Sequence, residues 1–277
     1  MNTSAYVHGY ARTEGVRLRD QASTLAELIH GDTRFPPGSR VLEAGCGVGA
    51  QTLIMAAQNP GVRFVSVDLS PASVAQARAA AAAAGLRNVE FQPADIFHLP
   101  FAPHSFDHVV LCFVLEHLPE PVVALNLLRG MVKPGGTLVA IEGDHGSTSF
   151  HPDSVLARRA VACQVELQRR AGGNALIGRE LFPLLTRAGF QEVAVSPRLV
   201  YVDGSRPALV DGFIRKTFTA MIAGVPEAAL AAGLMPAAEF DQGVRDLYRT
   251  AEPDGVFCYT FFKAVGRVKA EIGKAES

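Results

Sequence analysis

The stretch Glu43-Ala44-Gly45-Cys46-Gly47-Val48-Gly49 limits what this chain can fold into more than any other. The residues Arg40-Val41-Leu42-Glu43-Ala44 read as a short buried strand, and a helix is predicted from about Ala50. A strand that runs into closely spaced glycines lets the backbone pass tight against a ligand and points helix N–H groups at it. A turn can use glycine for purely structural reasons, but three glycines after a hydrophobic strand exceed that need. A nicotinamide dinucleotide site also combines strand, glycines and helix. Here the glycines fall as G-x-G-x-G, with an acid two positions before the first, rather than as G-x-G-x-x-G. That spacing argues against the dinucleotide.

Strand-like and helix-like segments then alternate. Phe64-Val65-Ser66-Val67-Asp68 is a second strand. Ser70 and Pro71 supply an N-cap and a first-turn proline for a helix through the alanine-rich residues 75–84, which stops at Gly85. Val89-Glu90-Phe91 is a third strand, Phe106 to Phe113 a fourth, and Thr137 to Ile141 a fifth after the turn Lys133-Pro134-Gly135-Gly136. Strands separated by helices imply βαβ units, hence an α/β fold with a parallel sheet covered on both faces. Farther on, Phe190 to Ser196 and Val256 to Phe262 are strand-like, with about 50 mostly helical residues between them. They are expected to pair at the sheet edge as a long hairpin interrupted by an insertion.

Composition removes several classes of function. In 277 residues, 48% are apolar and 19% charged, which provides a sizeable core and excludes global disorder. Lysine and arginine total 26 against 27 acids, so the formal charge is -1 and offers no electrostatic footprint for nucleic acid or an anionic membrane. MNTSAYVHGYARTEG lacks the apolar stretch of a signal peptide, and no apolar run approaches the roughly 20 residues of a membrane span. A cytoplasmic location is the expectation. The four cysteines, Cys46, Cys112, Cys163 and Cys258, are widely spaced and read as buried free thiols rather than bridges.

Asp68 ends the second strand about 20 residues after the glycines, where an acid holds ribose hydroxyls. A carboxylate suits the place because it accepts from both hydroxyls. The competing reading, a helix N-terminal acid favoured by the dipole, is weakened by Ser70, which already fits the cap. Together with Ala94-Asp95-Ile96 and Phe106-Asp107-His108-Val109-Val110, these residues resemble the class I S-adenosylmethionine-dependent methyltransferases, over roughly Pro37 to Ile141.

The resemblance implies a Rossmann-like, doubly wound sheet of seven strands, the last antiparallel. It implies S-adenosyl-L-methionine as cofactor, bound by the turn of Gly45, Cys46, Gly47 and Gly49. Glu43 would meet the methionine end, directly or through water. Asp68 would hold the ribose, with Leu69 beside the adenine. Asp95 would accept from the adenine amino group while the N–H of Ile96 reaches a ring nitrogen. Phe113 would stand near the sulfonium. Leu115-Glu116-His117-Leu118 looks like the L-x-H stretch of ubiquinone- and menaquinone-type methyltransferases, in which His117 is structural more often than proton-carrying. In related enzymes the N-terminal segment closes over the cofactor. Here Tyr10 would offer the sulfonium a ring, and Arg17 or Gln21 would hold the cofactor carboxylate. The plainer reading is an amphipathic first helix with Leu18, Ala22, Leu25 and Leu28 on its apolar side. The organisation expected is a helical lid over 1–36, a cofactor-binding core over 37–200, a helical substrate cover over 201–252, and the last core strand with a tail over 253–277.

Methyl transfer is an in-line displacement at an activated carbon, so alignment in a dry pocket should supply most of the rate. A base is needed only if the acceptor loses a proton as it attacks. Candidates for that role are Asp144 and His145, in Ile141-Glu142-Gly143-Asp144-His145-Gly146 at the carboxyl end of the fifth strand. The bland alternative is loop capping by Asp144 beside a solvated His145. Asp144, His145, His151 and Asp153 lack any recognised metal-ligand spacing, so no metal is expected. The insertion Ser205 to Thr250 carries Phe213, Phe218, Met221, Phe240 and Tyr248, residues that serve core or substrate pocket. Gly172-Gly173-Asn174 lacks the lysine of a phosphate loop and reads as a flexible turn at the pocket rim.

The function expected is therefore methyl transfer to an oxygen, nitrogen or carbon of a small-molecule acceptor, leaning toward a partly hydrophobic metabolite such as a natural product. The exposed helical additions suit a homodimer surface. No nucleic-acid or membrane partner is expected, and Phe113-Val114-Leu115-Glu116 stands where nucleic-acid methyltransferases carry an N/D-P-P-Y-type segment. Two alternatives remain at this level: a nicotinamide-dependent oxidoreductase, and a noncatalytic cofactor-binding protein of the same fold.

Overall fold

In the computed structural model, residue 22 and residues 24–270 are described. Seven strands form one sheet: β1 (Arg40–Ala44), β2 (Arg63–Asp68), β3 (Val89–Pro93), β4 (Phe106–Cys112), β5 (Val132–His151), β6 (Gln191–Asp203) and β7 (Val256–Arg267). Their spatial order is β3-β2-β1-β4-β5-β7-β6. The strands β1 to β5 pair in parallel, whereas β7 runs antiparallel to both neighbours, β5 and β6. The expected pairing of the two C-terminal strands is present, and it inserts the last strand between β5 and β6.

The parallel strands are buried on both faces, so their side chains divide into two cores. On one face Val41, Phe64, Val110, Val139 and Ile141 pack with Leu25 and Ile29 of the first helix, α1 (described over 24–30). Met55 of α2 (Ala50–Gln58) and Ala160 of α5 (Val155–Arg170) complete that side. On the other face Leu42, Val65, Val109, Leu111 and Leu138 pack with Leu125 and Leu128 of α4 (Pro121–Met131) and Leu184 of α6 (Leu181–Arg187). The helix α3 (Pro71–Ala83) begins as its sequence indicates, with the Ser70 hydroxyl accepting from Ser73 N–H and Pro71 in the first turn. Gly85 beyond its end has φ 70°. The four cysteines are free thiols.

Three strands, β5, β6 and β7, are longer than the sequence indicates, for one physical reason. The strand β7 spans 12 residues, and its ladder draws out both neighbours as far as His151 opposite Val256 and Asp203 opposite Val256. Pro197, which interrupts the strand-like run of β6, is tolerated because β6 is the edge strand and can lose a donor on its open side. The Lys133–Gly136 turn loops out as a register shift between Phe106/Val132 and His108/Thr137.

The insertion between β6 and β7 is helical. One continuous helix, α7, passes through Pro207–Leu209, a π-helical stretch Val210–Thr219, and Ala220–Ala223. Then come α8 (Pro226–Ala231) and α9 (Ala237–Arg249). This cap is tied to α5. The Ser154 hydroxyl, N-cap of α5, donates to Asp246 on α9 at 2.5 Å, and a Cβ on Gly243 would stand 2.5 Å from the Leu156 carbonyl oxygen. Among the described residues no helix is long and apolar enough to cross a membrane. Substituting Gly243→Val should force α9 off α5 and cost about 1–3 kcal/mol, read as a lower unfolding temperature. An unchanged melting curve would show that the cap does not lean on this contact.

Candidate active site

The turn between β1 and α2 adopts backbone angles that glycine alone reaches without strain. Gly45, Gly47 and Gly49 have φ of 81°, 52° and 80°. Packing also dictates the outer two: a Cβ on Gly45 would lie 2.5 Å from Val114 Cγ2, and one on Gly49 2.9 Å from Ala77 Cβ. At Gly47 an added Cβ would meet nothing within 4 Å, so this part of the turn opens onto free space. The side chain of Cys46 is buried among Val74, Ala77 and Phe91, which leaves only its backbone to the turn's outer side.

Asp68 fastens this turn from the neighbouring strand. Its Oδ2 accepts from Gly47 N–H at 2.8 Å, and its Oδ1 accepts from Ser70 N–H at 2.9 Å. Each carboxylate oxygen retains further acceptor capacity, as a vicinal diol requires. Leu69 beside it is 62% exposed, an apolar rim residue next to a polar one. Glu43 lies beneath the turn, fully buried, with Oε2 accepting from Thr52 Oγ1 at 2.6 Å and Ser66 Oγ at 2.7 Å. Burial pushes its carboxyl up to about 7, against the lowering effect of those two hydroxyls. Asp95 caps the short turn Ile96–His98: Oδ1 accepts from Phe97 N–H at 2.9 Å, and Oδ2 lies 3.0 Å from His98 Nδ1. Ile96 is half-buried against the second core. Tyr10, Arg17 and Gln21 lie outside the described residues.

The acceptor-side candidates collect where β4, β5 and β7 end. Phe113, at φ 59°, breaks β4 and places its ring 5.3 Å from that of Phe261. Between Asp144/Thr260 and Ser149/Cys258 the β5–β7 register shifts, so residues 145–148 stand opposite Tyr259 alone. That bulge turns His145 inward. Its Nδ1 lies 2.8 Å from the Tyr259 hydroxyl, and its ring packs edge-on to Phe218 at 5.9 Å. Phe213 and Phe218 of α7 pack with Phe257, Tyr259 and Phe261 of β7, and of these Phe218 and Tyr259 meet the His145 ring. Met221 and, from α9, Phe240 are buried in the same core, whereas Tyr248 is exposed at 40%.

Asp144 is buried, and both its oxygens accept from Arg179, Nε to Oδ2 and Nη2 to Oδ1, each at 2.8 Å. Oδ1 also accepts from Gly146 N–H at 3.0 Å. The loop-capping reading of Asp144 is therefore the one its contacts match, while the histidine beside it is buried rather than solvated. His117 lies in the short turn Leu115–His117, with Nε2 3.6 Å from Glu116 Oε1. The Gly172-Gly173-Asn174 turn is well tied: Asn174 N–H donates to Glu116 O at 2.8 Å and its side chain to Glu180 at 2.9 Å.

Sequence reasoning assigned no role to Glu142, Arg179 or Tyr259. Glu142 is fully buried, and its Oε1 accepts from the N–H groups of Val114 and Leu115 at 3.0 and 2.7 Å, fixing the loop after Phe113. Burial, then the Glu116 carboxylate, raise its pKa well above the usual range. The signal for Glu142 was present, an acid directly following the apolar run Leu138, Val139, Ala140 and Ile141. Arg179 and Tyr259 carry no local signal, because each acts across a long sequence separation.

Glu43 yields a pH test. Its folded pKa of about 7 lies above the ordinary 4.5, so its contribution to stability is whole below pH 4.5 and is lost as pH rises through 7. Full ionisation should cost roughly 3 kcal/mol. Glu43→Gln, which has no such loss, should therefore gain stability relative to the unsubstituted chain between pH 5 and pH 8. Melting curves across that window check it, and a constant difference would show an ordinary carboxyl.

Part of the sequence resembles known proteins. Residues 42–140 match the family model described as a methyltransferase domain. An uncharacterized 37.1 kDa transposon protein of Streptomyces fradiae is 33% identical over 204 residues, covering 73% of this chain and 55% of that one. The demethylmenaquinone methyltransferase of Bacillus cytotoxicus is 33% identical over 107 residues, 38% of this chain and 45% of that one. The chain thus spans about half the length of the curated relatives it matches. Among solved structures, the [4+2]-cyclase SpnF superposes with a TM-score of 0.55 at 21% identity, covering 91% of this chain and 81% of that one. The phosphoethanolamine N-methyltransferase 2 of Haemonchus contortus, in complex with S-adenosylhomocysteine, gives 0.58 at 17% identity over 94% and 59%. These two likenesses concern the fold. The family-model match assigns a methyltransferase domain to residues 42–140, and the glycine turn on a sheet of order β3-β2-β1-β4-β5-β7-β6 lies within that stretch.

Proposed function

We propose that this chain transfers a methyl group from S-adenosylmethionine to a small, partly hydrophobic acceptor. One observation carries the reading: Asp68 and Gly47 are joined at 2.8 Å beside a turn whose free face would admit a ligand. The residues present fit the cofactor. The backbone at Gly45, Gly47 and Gly49 would line it, Asp68 would take the ribose hydroxyls, Leu69 would flank the adenine, and Asp95 with Ile96 would read its edge. Glu43 supports the turn from below, and a cationic ligand nearby would favour its ionised form. The cofactor, when bound, supplies a methyl group made electrophilic by a positive sulfur.

The remaining work belongs to the chain. Phe113, held by the Glu142 cradle behind it, shapes the place where acceptor and cofactor meet. The aromatic side chains of α7 and β7 exclude water and give an apolar or aromatic acceptor its surface. His145, oriented by Tyr259, is the group placed to accept a proton or to align the nucleophile. Asp144 and Arg179 hold the bulge that presents it. The segment 1–36 would close the site as a lid, 37–200 would form the core, and 201–252 the substrate cover.

The relatives named for demethylmenaquinone methylation support a flat, apolar acceptor, and the cover's aromatic residues are consistent with a natural product. Because a protein of this fold is a [4+2]-cyclase, reaction type must be tested directly. With methyl-labelled S-adenosylmethionine and a panel of quinol, phenol and amine acceptors, labelled product should form. His145→Gln should lower kcat by about 10²-fold without weakening S-adenosylhomocysteine binding. No labelled product with any acceptor would contradict the transfer, and unchanged turnover in the variant would remove His145 from it.

A further inference from the structure

Near the glycine turn, a run of buried and partly buried hydrogen bonds joins residues distant in sequence. Lys263 on β7 donates from Nζ to Thr33 Oγ1 and to Asp32 Oδ1, both at 2.7 Å. Thr33 Oγ1 lies 3.2 Å from His30 Nδ1, and His30 Nε2 lies 2.8 Å from Gln51 Oε1. Donor chemistry fixes the direction of every bond. An ammonium only donates and an amide oxygen only accepts. Thr33 therefore receives from Lys263 and gives its hydroxyl hydrogen to His30 Nδ1, while His30 Nε2–H donates to Gln51. From Lys263 through Thr33 and His30 the bonds point one way, to the glutamine oxygen, and admit a single neutral tautomer of His30. That residue is 0% exposed, and burial holds its pKa down at about 4, so it stays neutral around pH 7.

The chain of bonds ends at a sensitive place. Gln51 is the second residue of α2, two positions after Gly49. The far end of α2 is held by the same connecting segment: Asn59 Oδ1 accepts from Phe35 N–H at 3.0 Å, and Asn59 Nδ2 donates to Thr33 O at 3.1 Å. Residues 30–35 thus grip α2 at both ends. A buried polar chain of this kind is costly unless each member is satisfied, and when satisfied it fixes one arrangement. An apolar side chain at position 30 would fill the space beside Leu25 and Ile29 at lower risk, but would leave the start of α2 unheld on this side.

We infer that His30 is a positioning residue for cofactor binding: through Gln51 it holds the first turn of α2, and with it the Gly47–Gly49 backbone, in the orientation that receives S-adenosylmethionine. The inference rests on the proposed function. It assigns no chemistry to His30, which is fully buried. Lys263 and Thr33 act only through it, and Asp32, paired with both Lys263 and Arg198, anchors the other end of the run on β7 and β6.

Calorimetric titration of S-adenosylhomocysteine tests it on four full-length chains: unsubstituted, His30→Ala, Gln51→Ala and the double variant. Each single change should raise Kd by roughly five- to thirtyfold. The double variant should be no weaker than the weaker single one, because both lose the same bond. KM for the cofactor should rise with Kd while kcat changes less, a split that general loosening of the fold would not produce. Thr33→Val keeps the side-chain shape, removes the hydroxyl, and should show a smaller loss in the same direction; it decides the matter if His30→Ala does not fold. Unchanged Kd in Thr33→Val and Gln51→Ala, or losses that add in the double variant, would overturn the inference. Failure of the unsubstituted chain to bind would overturn the proposed function, and this inference with it.

Discussion

The Asp68 carboxylate accepting from Gly47 N–H is the interaction on which the site depends. It joins the end of β2 to the turn that leaves β1, and so sets a left-handed backbone in a defined place relative to an acid. A backbone with φ of 52° is costly for other residues, and its freedom in the unfolded chain makes it costly to order. The hydrogen bond, the packing of Gly45 on Val114 and that of Gly49 on Ala77 offset this cost. What results is a surface of backbone and carboxylate that needs no further movement to receive a polar ligand.

The acceptor half is built differently. There the last strand, antiparallel between β5 and β6, brings Tyr259 and Phe261 beside residues that belong to a parallel sheet. Antiparallel pairing allows a wide bulge at 145–148, which a parallel pair rarely accommodates. The bulge turns the histidine inward, and the bidentate bond from the exposed Arg179 to the buried Asp144 holds it there. Removing Arg179 would leave the buried Asp144 carboxylate without its cation. In the proposed function the two halves meet at Phe113, with the cofactor on the parallel side and the acceptor on the antiparallel side.

How legible this was in the sequence follows from the range of the interactions. Local signals were read correctly: the glycine turn, the Ser70–Pro71 helix start, the stop at Gly85, and the run of parallel strands. Their cause lies within a few residues of the chain. The antiparallel edge was legible as two strand-like runs but not in length, because the extent of β6 past Pro197 is set by pairing with β7. Glu43 and Asp68 could be placed by position, yet the burial that raises the Glu43 carboxyl, and the Thr52 and Ser66 hydroxyls that partly offset it, come together from separate elements. Tyr259 meets His145 from 114 positions away, and Lys263 meets Thr33 from 230. No periodicity or motif encodes such contacts.

The central claim is that Asp68 holds both its own glycine turn and the ribose of an adenosine-bearing cofactor. Calorimetry of S-adenosylhomocysteine against Asp68→Ala, with circular dichroism to verify folding, measures this directly. The account predicts clear heat of binding in the unsubstituted chain and at least a tenfold weaker Kd in the variant. Equal affinity in the two chains would contradict it.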